Sequence, residues 1–378
     1  MTGADLQING VCPPRFAPVL AAFKANFVEG RELGARFSFC LDGELVVDLW
    51  AGRADRAGTA AFDQNTLTPV FSTTKALASL MIARLVDQGR LAFDQPAAEV
   101  WPAFGQAGKD RITVEQVMSH QAGLAAFVEP IDPTLWFDWD ATCARLAAMA
   151  PLWPPGSASG YHPVTFGYLA GELFRRADGR TLGTALREDL AGPLGLDLWI
   201  GLPDSEAGRC AEVRRPPALP DLGPLTDLKR AAFMEKWSSP GGVSHADWRR
   251  AEIPSVNGHA TAAALARLAG LLACDGMLDG RRWLSAGLAG RAAASRIVGD
   301  DLVLPFRISW GAGFMRNEGL NIYGPGQNTF GHSGWGGSCL FADPDRRVSG
   351  AYVMNRQSAA LIGDARARRL IDAVYEGL

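Results

Sequence analysis

Phe71-Ser72-Thr73-Thr74-Lys75-Ala76-Leu77-Ala78-Ser79-Leu80-Met81-Ile82 sets a serine one helical turn before a lysine, at the entry of a long apolar helix. Residues three apart share a helix face, so the Lys75 amine can point at the Ser72 hydroxyl. A serine hydroxyl is a poor nucleophile at neutral pH and needs a base within hydrogen-bond reach. Lysine serves as that base when burial or nearby positive charge lowers its pKa. Ser72 also stands at the positive end of the helix, where free N–H groups favour developing negative charge. Ser-x-x-Lys alone recurs by chance, and its plain reading is an N-cap serine followed by a surface lysine. The surroundings decide between the two.

Working outward, the Ser72 helix runs to about Gln88 and stops at Gly89, with Leu77, Leu80, Met81 and Leu85 on one stripe. Upstream, residues 15–30 read as an amphipathic helix with Phe16, Val19, Leu20, Phe23 and Phe27 on its apolar face. Residues 35–41 and 44–49 then form a β-hairpin around Asp42-Gly43, a favoured type I′ turn pair. Downstream, residues 90–250 carry helical signals and few strand signals. Thr113 caps a short helix over 114–118, and Gly179 separates helices over 164–177 and 181–191. Residues 202–258 are rich in Pro and Gly and read as a long irregular stretch, the kind that is usually functional or mobile. Residues 260–274 are helical. Strands follow near 308–315, 328–333, 338–342 and 348–354, then a helix over 359–376. This order predicts an α+β fold, with one antiparallel β-sheet built from both chain ends and flanked by helices. Residues 1–90 and 251–378 form that sheet domain, 91–250 an inserted mainly helical lobe, and the active site lies in the cleft between them.

Composition narrows the function. The 378 residues are 48% hydrophobic and 20% charged, ordinary for a globular protein. A formal net charge of -3 gives no footprint for nucleic acid or an anionic membrane, and no stretch approaches a membrane span. Met1-Thr2-Gly3-Ala4-Asp5-Leu6 lacks the basic and apolar regions of an export signal, so a cytoplasmic location is expected. Six scattered cysteines form no C-x-x-C pair and read as small buried residues. The five histidines form no H-x-x-x-H pair, and no metal or organic cofactor is implied.

Two further segments carry chemistry. Pro154-Pro155-Gly156-Ser157-Ala158-Ser159-Gly160-Tyr161-His162-Pro163 holds a tyrosine on a Gly/Pro loop, where its hydroxyl can face a cleft and act with Lys75. The alternative is an ordinary, satisfied tyrosine. Phe330-Gly331-His332-Ser333-Gly334-Trp335-Gly336-Gly337-Ser338 joins a strand whose glycines admit a substrate close to the backbone. Its edge N–H groups suit an oxyanion, whereas a bulged hairpin with a satisfied histidine is the structural alternative.

Ser-x-x-Lys, then Tyr, then His-x-Gly resembles the serine β-lactamase and penicillin-recognising superfamily, closest to family VIII carboxylesterases and the class C β-lactamase-like branch. Leu85–Leu91, Ile112-Thr113-Val114 and Ser119-His120-Gln121-Ala122-Gly123-Leu124 agree with it, with His120 read as architecture. The resemblance implies a β-lactamase/transpeptidase-like fold with Ser72 as nucleophile and Lys75 and Tyr161 as base and proton relay. It implies an oxyanion hole from the backbone N–H groups of Ser72 and Trp335, and substrate binding by His332, Ser333, Gly334 and Trp335. In an alternative register Trp335-Gly336-Gly337 is the third motif, and Trp335 again sits at the site. Two departures matter: Pro163 stands where β-lactamases of this branch carry Asn, and His332 where many carry Lys.

The resulting expectation is a carboxylesterase acting on a small-molecule ester with a short acyl chain. Trp237 and Trp248 are candidates for its apolar pocket. Weak β-lactamase, D-amino-acid peptidase, amidase or acyltransferase activity is the enzymatic alternative. A catalytically inactive ligand-binding protein on the same fold is the alternative of another class. Sequence leaves the oligomeric state open.

Overall fold

The structure, a computed structural model, describes residues 6–242 and 245–378. Residues 1–5, part of the N-terminal stretch read above, and 243–244, inside the irregular stretch, lie outside the described residues.

Nine strands form one antiparallel sheet. They are β1 (Ile8–Val11), β2 (Gly34–Leu41), β3 (Glu44–Gly52), β4 (Ile297–Asp300), β5 (Arg307–Trp310), β6 (Met315–Arg316), β7 (Phe330–Ser333), β8 (Cys339–Asp343) and β9 (Val348–Met354). Their spatial order is β1-β3-β2-β9-β8-β7-β6-β5-β4, so segments from both ends of the chain meet where β2 pairs β9. Asp42 and Gly43 both take positive φ (52° and 84°), as a type I′ turn requires, and Leu41 pairs Glu44 across it.

Strand alternation sorts the sheet's side chains into two cores. Ala351 and Val353 of β9 join the core under helix α4 (Ala262–Ala273). Tyr352 and Met354 face the other way, with Phe37 and Phe39, into the core under α1 (Ala17–Val28) and α5 (Ala365–Glu376). In chain order α2 is Thr74–Asp87 and α3 is Thr165–Asp178. These two helices pack on each other. α2 is buried nearly all round, from Thr74 to Leu85, where the sequence suggested a single stripe.

Several boundaries differ from the sequence reading. Residues 311–314 turn between β5 and β6, where one strand over 308–315 was expected. Residues 359–364 are irregular, and α5 begins after Asp364, whose carboxylate caps Arg366 N at 2.8 Å. Leu20 of the expected apolar stripe is 39% exposed. The helix expected over 181–191 ends as α-helix at Leu186 and continues as a π-turn over Arg187–Ala191. Thr113 caps Val114–Met118 through a reciprocal box with Gln116.

A small antiparallel sheet of Thr68–Pro69, Gly258–Ala260 and Leu198–Ile200 positions the site. Through it, Val70 N donates to Gly258 O (2.8 Å) and Gly258 N donates to Thr74 Oγ1 (2.9 Å). These bonds bring residues 255–258 beside the entry of α2. No helix among the described residues is long and apolar enough to cross a membrane.

Candidate active site

The chain enters α2 through Phe71, whose φ of 47° puts a bulky aromatic residue in the left-handed region. Phe71 O accepts from Thr74 N (3.0 Å) and Thr74 Oγ1 (2.5 Å), and its ring lies against Trp248 and Trp335, 6.4 and 5.9 Å away between centroids. Surrounding contacts of this kind are what sustain a strained residue, here the one that presents Ser72.

Lys75 is fully buried. Its Nζ lies 3.2 Å from Ser72 Oγ, 2.7 Å from Pro163 O and 3.0 Å from Ser255 O. Burial pushes its pKa well below the ordinary lysine value. The amine donates to two backbone carbonyls and to the Ser72 hydroxyl, and no carboxylate is among these partners.

Tyr161 is buried beside them, with Lys75 Nζ 4.7 Å from its ring centroid. Burial raises the phenol's pKa; a hydrogen bond with Ser72 lowers it, and the Asp301 charge raises it again. The tyrosine is therefore a neutral phenol at neutral pH. Its loop is pinned on both sides: Gly160 N donates to His120 O (3.0 Å), Tyr161 N to Asp301 Oδ1 (2.8 Å) and His162 N to His120 Nδ1 (3.2 Å). His120 packs edge-on against Trp310 at 4.4 Å and against Tyr161 at 4.9 Å. Its ring and carbonyl serve the tyrosine loop.

At the end of β7, His332 Nδ1 donates to Ser333 O (2.8 Å). Burial first, then the Lys75 charge, pushes its pKa down to about 3, so the imidazole is neutral. The Ser333 hydroxyl is paired with Tyr323 OH at 2.9 Å. Gly334 N donates to Ser338 O (2.7 Å) and Gly336 N to Ala360 O (3.2 Å), with Trp335 on the turn between them. Arg366 Nη2 donates to Gly336 O (2.8 Å), which ties this turn to α5.

Ser72, Tyr161, His332, Ser333 and Trp335 share the wall of one cavity of about 260 Å³. Gly334 is not on that wall. It packs behind it, where a Cβ would stand 2.3 Å from Val70 O and 2.2 Å from Ser338 Oγ. The irregular 202–258 stretch supplies Pro220, Phe233, Ser239, Trp248 and Val256 to the lining. Of the two tryptophans suggested by sequence, Trp248 lines the cavity, whereas Trp237 points its indole N–H at Phe127 O (3.0 Å). Among the described residues, the lining contains no Asp, Glu, Lys or Arg. No group of three or more His, Cys, Asp or Glu among them is placed to hold a metal ion.

Sequence reasoning missed Ser255, Asp301 and Trp310. Ser255 acts through its backbone carbonyl, which no residue type announces. Asp301 and Trp310 lie behind the cavity wall, reaching it through Tyr161, through Leu304 (whose N–H Asp301 accepts) and through the His332 ring beside Trp310.

Comparison with known proteins matches this chain to a family model described as beta-lactamase over residues 20–374. The chain belongs to the beta-lactamase family. Within the family it is similar to "Esterase/beta-lactamase LipL" of Mycobacterium tuberculosis, 38% identical over 95% of this chain and 85% of the relative. A crystal structure of a penicillin-binding protein homologue from Caulobacter crescentus is 64% identical, with a TM-score of 0.97 over 98% of this chain and all of that one. A family VIII carboxylesterase structure is 39% identical, with a TM-score of 0.93 over 98% of this chain and 100% of that one. These likenesses support serine hydrolase and esterase chemistry on a β-lactamase-type fold.

Proposed function

We propose that this beta-lactamase-family protein is a carboxylesterase that cleaves short-chain acyl esters of uncharged small molecules through an acyl-enzyme on Ser72. The observation that carries the reading is the Ser72–Lys75–Tyr161 cluster opening onto an apolar cavity with no charged residue in its lining among the described residues.

Ser72 Oγ attacks the ester carbonyl as its proton passes to the Lys75 lone pair. The new oxyanion is held by the backbone N–H groups of Ser72 and Trp335. Collapse of the tetrahedral adduct breaks the bond to the alcohol, and the departing alkoxide takes a proton relayed through the Tyr161 hydroxyl. Water then attacks the acyl-Ser72 carbonyl, giving a proton to the Lys75–Tyr161 pair, and the free acid leaves as Ser72 regains its proton. Lys75 suits the base role because it is buried among neutral carbonyls, and Tyr161 suits the relay because it stays a phenol. Trp335 and Trp248 supply apolar walls for the acyl or alcohol group.

A second reading, weak β-lactamase or D-amino-acid peptidase activity, draws on the shared acylation chemistry and on the relative named esterase/beta-lactamase. Pro163 offers no side-chain amide for a lactam substituent, and neutral His332 offers no cation for a substrate carboxylate. A panel of p-nitrophenyl acetate, p-nitrophenyl butyrate and an activated cephalosporin separates the two. The esterase reading requires the esters to be turned over far faster, by wild type and not by Ser72→Ala. Efficient, carboxylate-dependent lactam turnover would overturn it.

A further inference from the structure

We infer that Asp301 is a positioning residue for the reaction, holding Tyr161 at the site from its main chain and from the plane of its ring at once. The inference rests on the assignment of Tyr161 to the proton relay proposed above. Asp301 follows β4 and is 7% exposed. Its Oδ1 accepts Tyr161 N (2.8 Å), Val303 N (3.0 Å) and Leu304 N (2.9 Å). Its Oδ2 accepts Trp310 Nε1 (3.3 Å). The Trp310 indole is fully buried and stacks on the Tyr161 ring, with centroids 5.9 Å apart and planes 10° from parallel. Leu302 N, one residue on, donates to Ser159 O (2.9 Å), so the loop 301–304 grips the tyrosine segment at two points.

The chemistry explains why this residue is an acid. Four N–H groups converge on it, and a carboxyl group offers an acceptor oxygen on each side where an amide offers only one. Asparagine, keeping its oxygen on Tyr161, Val303 and Leu304, would turn an N–H against the indole N–H of Trp310. The carboxylate charge further opposes ionisation of the phenol, which keeps a proton on the relay. Asp301 does not itself line the cavity; it holds the N–H groups of Tyr161 and Leu304, which do, and the proposed effect on rate runs through Tyr161.

The test is steady-state hydrolysis of p-nitrophenyl butyrate by wild type, Asp301→Asn, Trp310→Phe and the double variant, with thermal midpoints for each. Displacing a reacting group by a fraction of an ångström to 1 Å is expected to lower kcat of Asp301→Asn by about tenfold to a hundredfold, with KM nearly unchanged. The double variant removes the facing indole N–H and should recover part of that loss. A kcat close to wild type, a change carried by KM, or a double variant no better than Asp301→Asn in folded proteins would overturn the inference. If Asp301→Asn does not fold, Trp310→Phe decides alone: a lowered kcat at constant KM supports the inference, and an unchanged kcat sinks it. Failure of the underlying reading looks different, since wild type would then show no Ser72-dependent turnover.

Discussion

Gly334→Ala tests how closely the end of β7 is fitted to the entry of α2. The glycine φ is not the constraint; the space is. A Cβ at 334 would stand 2.3 Å from Val70 O, 2.2 Å from Ser338 Oγ and 2.9 Å from Thr73 Oγ1. None of these atoms is free to retreat. Val70 O already accepts from Ser338 Oγ (2.7 Å) and Thr73 N (3.1 Å), and Ser338 Oγ lies 3.1 Å from Thr73 Oγ1. Reaching ordinary van der Waals separation requires a main-chain shift of about 1 Å between the two segments. Those segments carry Ser72 and Trp335, whose N–H groups are proposed to grip the ester oxygen. Loss of one oxyanion donor costs about 10²–10³ in kcat, so a loss of about 10² is expected here, with about 1–3 kcal/mol of stability lost to overpacking. The assay is p-nitrophenyl butyrate turnover alongside chemical denaturation. A folded Gly334→Ala enzyme with near wild-type kcat would refute the proposed oxyanion geometry.

Lys75→Arg is expected to abolish most turnover, because arginine keeps its proton and cannot act as base; near-normal rates in that variant would exclude the lysine relay. Burial lowers the Lys75 pKa, so the neutral base is lost only as pH falls through that depressed value. The kcat/KM profile should therefore have an acidic limb below the ordinary lysine range, reporting the coupled Lys75–Tyr161 pair. His332 is held neutral down to about pH 3, so a carboxylate-bearing ester should be a much poorer substrate than its methyl ester throughout pH 5.5–8. A preference for the acid that strengthens near pH 6 would contradict that. Arg366→Met leaves Glu32 and Asp364 buried without their 3.1 and 2.9 Å ion pairs and should cost about 3–5 kcal/mol in denaturant unfolding. It should also slow turnover, since the Gly336 carbonyl beside Trp335 loses its anchor; an unchanged unfolding midpoint would remove Arg366 from the account.

The parts legible in the sequence were those whose signal is local. Asp42-Gly43 fixes its hairpin through a turn that few residue pairs adopt, and Ser72 and Lys75 meet because three residues make one helical turn. Thr113 announces its cap because Gln116 completes the box. Hidden features depend on contacts between distant segments. The edge strands β1 and β4 are four residues each and carry no long alternation. Lys75 finds an acceptor in Ser255 O, 180 residues away, and a backbone carbonyl has no side-chain signature. Leu20 fits a helical stripe yet lies at its exposed margin, because the partners of α1 cover a narrower face than the pattern suggested. Gly334 illustrates a different limit: its motif marks the site correctly, but packing places it behind the cavity wall while its neighbours line it. Asp301 is one aspartate among many until the fold brings four N–H groups onto it.

The proposed reaction requires an activated Ser72. The direct measurement is an intact-mass spectrum after incubation with a fluorophosphonate, on wild type and on Ser72→Ala in parallel. A single adduct on wild type and none on Ser72→Ala is the predicted result. An unlabelled wild type, or an equal adduct on both proteins, would contradict the nucleophile assignment and favour a ligand-binding role for the cavity.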